Sequence, residues 1–183
     1  MWVINMEKTI KSNLIYKGKI ITVLKDDISL EKKDGLEVNA IREVVLHNGG
    51  ACALVRTKDN KIMFVKQYRY TIKDYLYELP AGKIDSNENP NVTIVRELEE
   101  EVGIKATKVE SLGRIVLSPG FSNEYIYLYY VDEYEKSNVN FDEDEELEYF
   151  EFTIDEVLEM IKNGVIYDAK SVALIMMLKD RFL

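Results

Sequence analysis

Residues 82–104 read GKIDSNENPNVTIVRELEEEVGI, and this stretch decides the fold. Asn89 is a favourable N-cap residue, Pro90 suits the first position of a helix, and Gly103 suits the position just past its end. The sequence therefore predicts a helix that begins near Pro90. Apolar residues recur along it at spacings of three and four, which predicts one apolar face. They are Val92, Val95, Leu98 and Val102.

Three carboxylates fall on the opposite side of the predicted helix. Glu97, Glu100 and Glu101 are also three and four residues apart, so they repel one another and weaken an isolated helix. A divalent cation reverses the sign of that interaction, because hard cations such as Mg²⁺ bind carboxylates together with substrate phosphates. Spacing alone leaves a plainer alternative open, since glutamates are good helix formers and an acidic helix face is usually only solvated.

The same stretch resembles the Nudix box at every fixed position of that motif. The matching residues are Gly82, Glu88, Arg96, Glu97, Leu98, Glu100, Glu101, Gly103 and Ile104. So many fixed positions rarely coincide by chance, unlike a lone glycine motif. The chain thus resembles the Nudix hydrolases, which cleave phosphoanhydride bonds with the help of a divalent metal ion.

The resemblance implies a metal site for Mg²⁺, with Mn²⁺ as a substitute. Its ligands would be three carboxylates and one backbone carbonyl: Glu97 and Glu101 as the main ligands, Glu100 as an auxiliary one, and Ala81. Arg96 would orient a neighbouring glutamate without binding the metal itself. Gly82 would form a tight turn before the helix.

Residues outside the box resemble the ADP-ribose pyrophosphatase subgroup. The similar stretches are Arg42-Glu43-Val44-Val45, Gln67-Tyr68-Arg69, Glu78-Leu79-Pro80-Ala81-Gly82, and Pro119, which lies sixteen residues after Gly103. The resemblance implies a substrate pocket that includes Arg42, Arg69, Glu78 and Pro119, with Tyr16 stacked on adenine. Arginine suits phosphate or ribose because its guanidinium is planar and always charged. A surface ion pair is the alternative for either arginine.

A second acidic run, DEDEELE, occupies residues 142–148. Its composition is typical of a solvated loop. In ADP-ribose hydrolases, however, a Glu-x-Glu sequence in the corresponding loop closes over the metals. The best match makes Glu143 the base that activates water and Glu145 a further metal ligand, because the aliphatic Leu147 follows two places later. A register shifted by one or two residues stays open.

Composition and charge narrow the classes of partner. The chain has 183 residues, 33 acidic against 24 basic, a net charge of -9 and a single cysteine, Cys52. This length suits one well-buried domain, and the acidic balance disfavours nucleic acid. The sequence contains neither an apolar run long enough to cross a bilayer nor a signal-peptide pattern at its start. A cytoplasmic protein with a small-molecule substrate is therefore expected.

The expected fold is an α/β/α sandwich with a mixed sheet, the Nudix fold, over residues 47–183. Residues 1–46 are expected to form a small antiparallel sheet that contributes to a homodimer and to the substrate pocket. Strands are predicted at 9–16, 20–30, 38–46, 51–57, 62–70, 107–117, 124–131 and 147–152. Two more helices are predicted, one opening with the capping box Thr153-Ile154-Asp155-Glu156 and one over about 168–181.

The expected reaction is hydrolysis of ADP-ribose to AMP and ribose 5-phosphate by metal-assisted attack of water. Two alternatives remain. The substrate could be another nucleoside diphosphate sugar, such as GDP-mannose. The protein could instead bind ADP-ribose without cleaving it, although a non-catalytic module has no reason to keep repelling carboxylates together.

Overall fold

The computed structural model describes residues 7–139 and 147–182. The chain divides into two compact units. The first comprises the residues up to Asn48 together with Ser118–Glu124, and the second comprises Gly49–Leu117 together with the residues from Tyr125 onward.

The first unit contains a three-stranded antiparallel sheet. Its strands are β1 (Glu7–Lys17), β2 (Thr22–Glu31) and β3 (Glu37–Leu46), in that spatial order. The separate segment Ser118–Glu124 binds to β3, since the Val45 N–H donates to the Phe121 carbonyl at 2.7 Å and the Asn123 N–H donates to the Val45 carbonyl at 3.2 Å. The predicted N-terminal antiparallel sheet is confirmed.

The second unit contains the remaining strands and all three described α-helices. The strands are β4 (Gly50–Val55), β5 (Ile62–Arg69), β6 (Asp74–Glu78), β7 (Ala81–Lys83), β8 (Ile104–Val116), β9 (Tyr125–Lys136) and β10 (Leu147–Phe152). The helices are α1 (Pro90–Val102), α2 (Ile154–Lys162) and α3 (Ala169–Leu178), followed by a short 3₁₀ turn at Lys179–Arg181. Among the described helices, none combines the length and apolar character needed to span a bilayer.

Two sheets form the centre of the second unit, with strand orders β7-β4-β9-β8 and β10-β5-β6. β4 pairs with β9 in parallel and with β7 antiparallel, so the larger sheet is mixed, as predicted. Successive side chains of a strand point to opposite faces. Cys52 and Leu54 accordingly join a core with residues of α2 and α3, whereas Ala51 and Ala53 join a second core with residues of α1. Helices therefore cover both faces, which confirms the predicted α/β/α sandwich.

The helix ends follow the predicted signals. The Asn89 side chain accepts a hydrogen bond from the Asn91 N–H at 2.9 Å, and Gly103 ends α1 in the left-handed conformation at φ 63°. At α2, Thr153 and Glu156 form the predicted capping box. Each cap satisfies backbone groups that a helix end leaves without partners.

The predicted apolar face of α1 is partly wrong. Val92 is 57% exposed, whereas Ile94 and Leu98 are fully buried and Glu101 is only 4% exposed. The helix therefore buries the stripe that runs through Ile94, Leu98 and Glu101, rather than the one through Val92. A carboxylate can lie in this stripe because the Glu101 side chain accepts a hydrogen bond from the Ala81 N–H at 2.9 Å, which compensates its burial.

Candidate active site

The segment Glu78–Gly82 runs from the end of β6 into β7 and lies between β4 and α1. The Pro80 carbonyl accepts a hydrogen bond from the Ala53 N–H of β4 at 3.0 Å. On the other side, the Ala81 N–H donates to Glu101 of α1 at 2.9 Å. The backbone at Ala81 is thus held from both sides, directly beside the box helix.

Gly82 permits the closest approach in the site. A Cβ atom built on Gly82 would lie 1.8 Å from the carboxyl carbon of Glu97. No side chain can occupy that space while Glu97 keeps its position. The glycine of the box is therefore required because the Glu97 carboxylate packs directly on the β7 backbone.

Arg96 gathers three acidic side chains of the box around one guanidinium. It lies 2.8 Å from Glu97 Oε1, 2.8 Å from Glu100 Oε2 and 3.4 Å from Glu88 Oε2. Desolvation lowers the pKa of Arg96, but the three carboxylates outweigh this effect and raise it, so the guanidinium stays charged. That charge offsets the repulsion between Glu97 and Glu100.

Glu88 is fixed between the start of α1 and Arg96. The Thr93 hydroxyl, which is fully buried, donates to Glu88 Oε2 at 2.7 Å. This hydrogen bond, followed by the one from Arg96, lowers the pKa of Glu88 below its usual value. Glu88 therefore remains ionised and helps to orient Arg96.

The donor set of the box suits a hard divalent cation. Its groups are the Glu97, Glu100 and Glu101 carboxylates and the Ala81 carbonyl, all oxygen donors of the kind that Mg²⁺ prefers. Within residues 7–139 and 147–182, histidine, cysteine and acidic side chains do not gather in groups of three or more that could hold a metal as they stand. Arg96 contacts two of the carboxylates and the Ala81 N–H contacts the third. The oxygen donors suit such a cation by their chemistry, and the close packing at Gly82 keeps the Glu97 carboxylate against the β7 backbone next to Ala81.

Arg69 and Glu78, both predicted to bind substrate, form a bidentate ion pair. Arg69 Nε lies 2.6 Å from one carboxylate oxygen of Glu78 and Arg69 Nη2 lies 2.8 Å from the other. Glu78 is 1% exposed, whereas the Arg69 side chain is 40% exposed. Burial raises the pKa of Glu78, but Arg69 and Lys170 together outweigh burial and lower it, so the carboxylate stays charged.

The sequence did not indicate a second partner of Glu78. Lys170, near the start of α3, also contacts the Glu78 carboxylate and lies 3.0 Å from Asp168 Oδ2. Its neighbour Ser171 accepts a hydrogen bond from the Leu79 N–H at 2.8 Å. The available signal was a lysine and a serine beside the predicted start of an otherwise apolar helix.

The other predicted residues lie in the first unit or outside the described residues. Tyr16 on β1 is exposed, Pro119 lies in the segment bound to β3, and Arg42 pairs with Glu7 through Nε and Oε2 at 3.0 Å. For Arg42 the described chain thus shows the surface ion pair, and substrate contact by Arg42, Tyr16 and Pro119 stays a prediction. Glu143 and Glu145 lie outside the described residues.

The chain is similar to a known family and to a solved structure. A family model described as the NUDIX domain matches residues 46–175. A solved structure described as an ADP compounds hydrolase superposes with a TM-score of 0.78, over 99% of this chain and 96% of that chain, at 15% identity. At that identity the likeness bears on the fold alone.

Three curated relatives align over most of the chain. Methanol dehydrogenase activator of Bacillus methanolicus is 39% identical over 91% of this chain and 89% of its own length. ADP-ribose pyrophosphatase of Bacillus subtilis (strain 168) is 35% identical over 90% and 88%. GDP-mannose pyrophosphatase of Cronobacter sakazakii (strain ATCC BAA-894) is 34% identical over 83% and 84%.

Proposed function

The chain belongs to the Nudix family and is a pyrophosphate-hydrolysing enzyme, and we propose that its substrate is ADP-ribose, cleaved to AMP and ribose 5-phosphate. The packing of the box helix on the Glu78–Gly82 segment supports hydrolysis of a diphosphate, and the alignment with ADP-ribose pyrophosphatase of Bacillus subtilis (strain 168) supports ADP-ribose as the substrate. Glu97 lies against Gly82 and Glu101 against the Ala81 N–H. Glu78, which begins the same segment, is paired with Arg69. The cytoplasmic location expected from the sequence stays a prediction.

Nudix hydrolases generally depend on divalent metal ions, and the metal proposed for this chain is Mg²⁺, with Mn²⁺ as a substitute. Glu97, Glu100, Glu101 and the Ala81 carbonyl would hold it. When bound, the metal supplies positive charge to the diphosphate oxygens and makes a bound water more acidic. Arg96 would then have the task of keeping Glu97 and Glu100 in place beside the Ala81 backbone.

Arg69 is proposed to bind the diphosphate or the ribose. Glu78 occupies one edge of its guanidinium and fixes its plane, and the exposed remainder of the side chain can donate to an anionic ligand. Pre-orientation by a buried carboxylate reduces the entropy lost when the substrate binds. Removal of a proton from the attacking water is proposed for Glu143, with Glu145 as a further metal ligand.

GDP-mannose is the second candidate substrate, because a GDP-mannose pyrophosphatase aligns with most of the chain. Both substrates present a diphosphate between a ribose and a second sugar. The metal site and Arg69 can therefore serve either one. Discrimination must come from residues that contact the base and the second sugar.

The proposal predicts a metal requirement and a substrate ranking. With added Mg²⁺ or Mn²⁺, ADP-ribose should rank among the best of a panel that includes GDP-mannose, with phosphate released after phosphatase coupling as the readout. Excess EDTA should abolish hydrolysis, because without a divalent cation between them the box carboxylates repel the diphosphate. Full activity in EDTA contradicts the metal site, and a clear preference for GDP-mannose contradicts the substrate.

A homodimer is also proposed. β1 carries large apolar side chains that are more than half exposed: Ile10, Leu14, Ile15 and Tyr16. Exposed apolar side chains concentrated on one strand are typical of a surface that another chain covers. We propose that a second copy of the chain covers this surface of β1, in keeping with the homodimer that the resemblance implies.

Light scattering at micromolar concentration should therefore report twice the chain mass of 21.3 kDa. Leu14→Glu should shift the protein toward the monomer, because the new charge would be buried in the interface. Thr9→Glu places the same charge at an exposed polar position of β1 and serves as the control. A wild-type monomer that hydrolyses ADP-ribose normally contradicts the idea that a partner completes the site.

A further inference from the structure

The start of α3 carries a buried polar cluster that the proposed reaction does not use. Asp168 caps the helix, and its Oδ2 accepts hydrogen bonds from the Ser171 N–H at 3.0 Å, the Ser171 hydroxyl at 2.6 Å and Lys170 Nζ at 3.0 Å. Ser171 is fully buried and Lys170 nearly so. We call these three residues the α3 cap cluster.

The α3 cap cluster binds the first two residues of the Glu78–Gly82 segment. Lys170 contacts the Glu78 carboxylate, and Ser171 Oγ accepts a hydrogen bond from the Leu79 N–H at 2.8 Å. The next two residues of the segment are held by Ala53 of β4 and Glu101 of α1. Four consecutive residues, from Glu78 to Ala81, are thus each fixed by a different contact.

A buried ion-pair network is by itself weak evidence for a stabilising role. The side chains of Arg69, Glu78, Lys170 and Asp168 alternate in charge and sum to zero, so each buried charge has a partner. Replacing such a buried ion-pair network by apolar residues of similar volume is often neutral or even stabilising. What the network provides, and an apolar core would not, is a fixed direction for the Glu78 carboxylate and the Leu79 N–H.

We propose that Ser171, Lys170 and Asp168 are positioning residues for the metal site. By fixing Glu78 and Leu79, they set the orientation of the peptide groups that follow, so that Ala81 offers its carbonyl to the metal while its N–H holds Glu101. The inference rests on the proposed metal ligation by Ala81 and Glu101. On this proposal α3, which supplies no residue of the box, contributes to metal affinity.

The test is Mn²⁺ binding by Ser171→Ala, measured without substrate from the loss of the electron paramagnetic resonance signal of free Mn²⁺. The substitution removes the acceptor of the Leu79 N–H, and we expect the Mn²⁺ dissociation constant to rise about tenfold or more, as for other residues that support metal ligands. Ser171→Thr keeps the hydroxyl and should restore most of the affinity. Val157→Ala, in the same core but on α2, is the control for general destabilisation.

Wild-type Mn²⁺ affinity in Ser171→Ala would overturn the proposal. So would an equal loss in Val157→Ala when both variants are compared at the same folded fraction. If Ser171→Ala does not fold, Asp168→Asn takes its place. This substitution keeps a capping oxygen but removes the negative charge of Asp168, to which Lys170 and Ser171 both donate hydrogen bonds. The Mn²⁺ binding test contains no ADP-ribose, so it is independent of the proposed substrate. If the wild type binds Mn²⁺ but a separate assay shows no cleavage of ADP-ribose, the proposed substrate is refuted and the positioning role is not.

Discussion

Glu101→Gln is expected to lower turnover by about 10²–10³-fold and to raise the Mg²⁺ concentration needed for half-maximal activity. The Glu101 side chain is nearly fully buried and accepts a hydrogen bond from the Ala81 N–H. Glutamine has the same size and retains an acceptor oxygen, so the contact to Ala81 and the fold should persist. What is lost is the negative charge that a hard cation requires.

Glu99→Gln is the matched control for this experiment. Glu99 lies on the same helix two residues earlier, but its carboxylate accepts a hydrogen bond from the Ser137 hydroxyl at 2.5 Å instead of facing β7. The same loss of charge at Glu99 should leave turnover and Mg²⁺ dependence near wild type. If Glu99→Gln and Glu101→Gln behave alike, the general charge of α1 and not a specific ligand determines activity.

Glu143→Gln is expected to lower kcat by about 10²–10⁴-fold, the range of a lost general base. KM and metal dependence should stay nearly unchanged, because the interaction with the proton of water is made only in the transition state. The prediction rests on the sequence alone, since residues 140–146 lie outside the described part of the chain. Steady-state kinetics over a range of Mg²⁺ concentrations separate this pattern from the one expected for Glu101→Gln.

The same substitution at Glu145 and Glu146 tests the register of the acidic run. Glu145→Gln should lower turnover and also raise the Mg²⁺ concentration needed for half-maximal activity, whereas Glu146→Gln should resemble wild type. If Glu146→Gln loses turnover while Glu143→Gln keeps it, the base was assigned to the wrong residue. If all three retain activity, the run is a solvated acidic loop and the base lies elsewhere.

Local sequence signals predicted most of the elements because each signal acts within a few residues. Asn89, Pro90 and Gly103 bound α1, and the capping box at Thr153 begins α2, as expected. β6 and β7 were missed because strands of five and three residues leave no readable alternation, and β7 contains the box glycine. Their pairing with β5 and β4 comes from tertiary contacts, not from a local pattern.

The site residues were likewise predictable only where a local signal exists. The motif identified the box residues, but the periodicity of α1 could not show that Glu101 is buried, because that depends on the Ala81 N–H of a strand twenty residues earlier. The α3 cap cluster could not be predicted from the sequence for the same reason. Lys170 and Ser171 acquire a role only when the fold brings Glu78 and Leu79 to the start of α3.

The parallel pairing of β4 with β9 has a consequence for the order of folding. Gly50 of β4 lies opposite Ile126 of β9, so β4 cannot pair with β9 until a much later part of the chain has been synthesised. Contacts between residues so distant in sequence form slowly, because the entropy of closing the loop is lost before the contact compensates for it. The box helix lies within that loop and is made well before its sheet is complete. Its buried apolar side chains, Ile94 and Leu98, therefore lack part of their core until Tyr129 and Val131 of β9 have been synthesised.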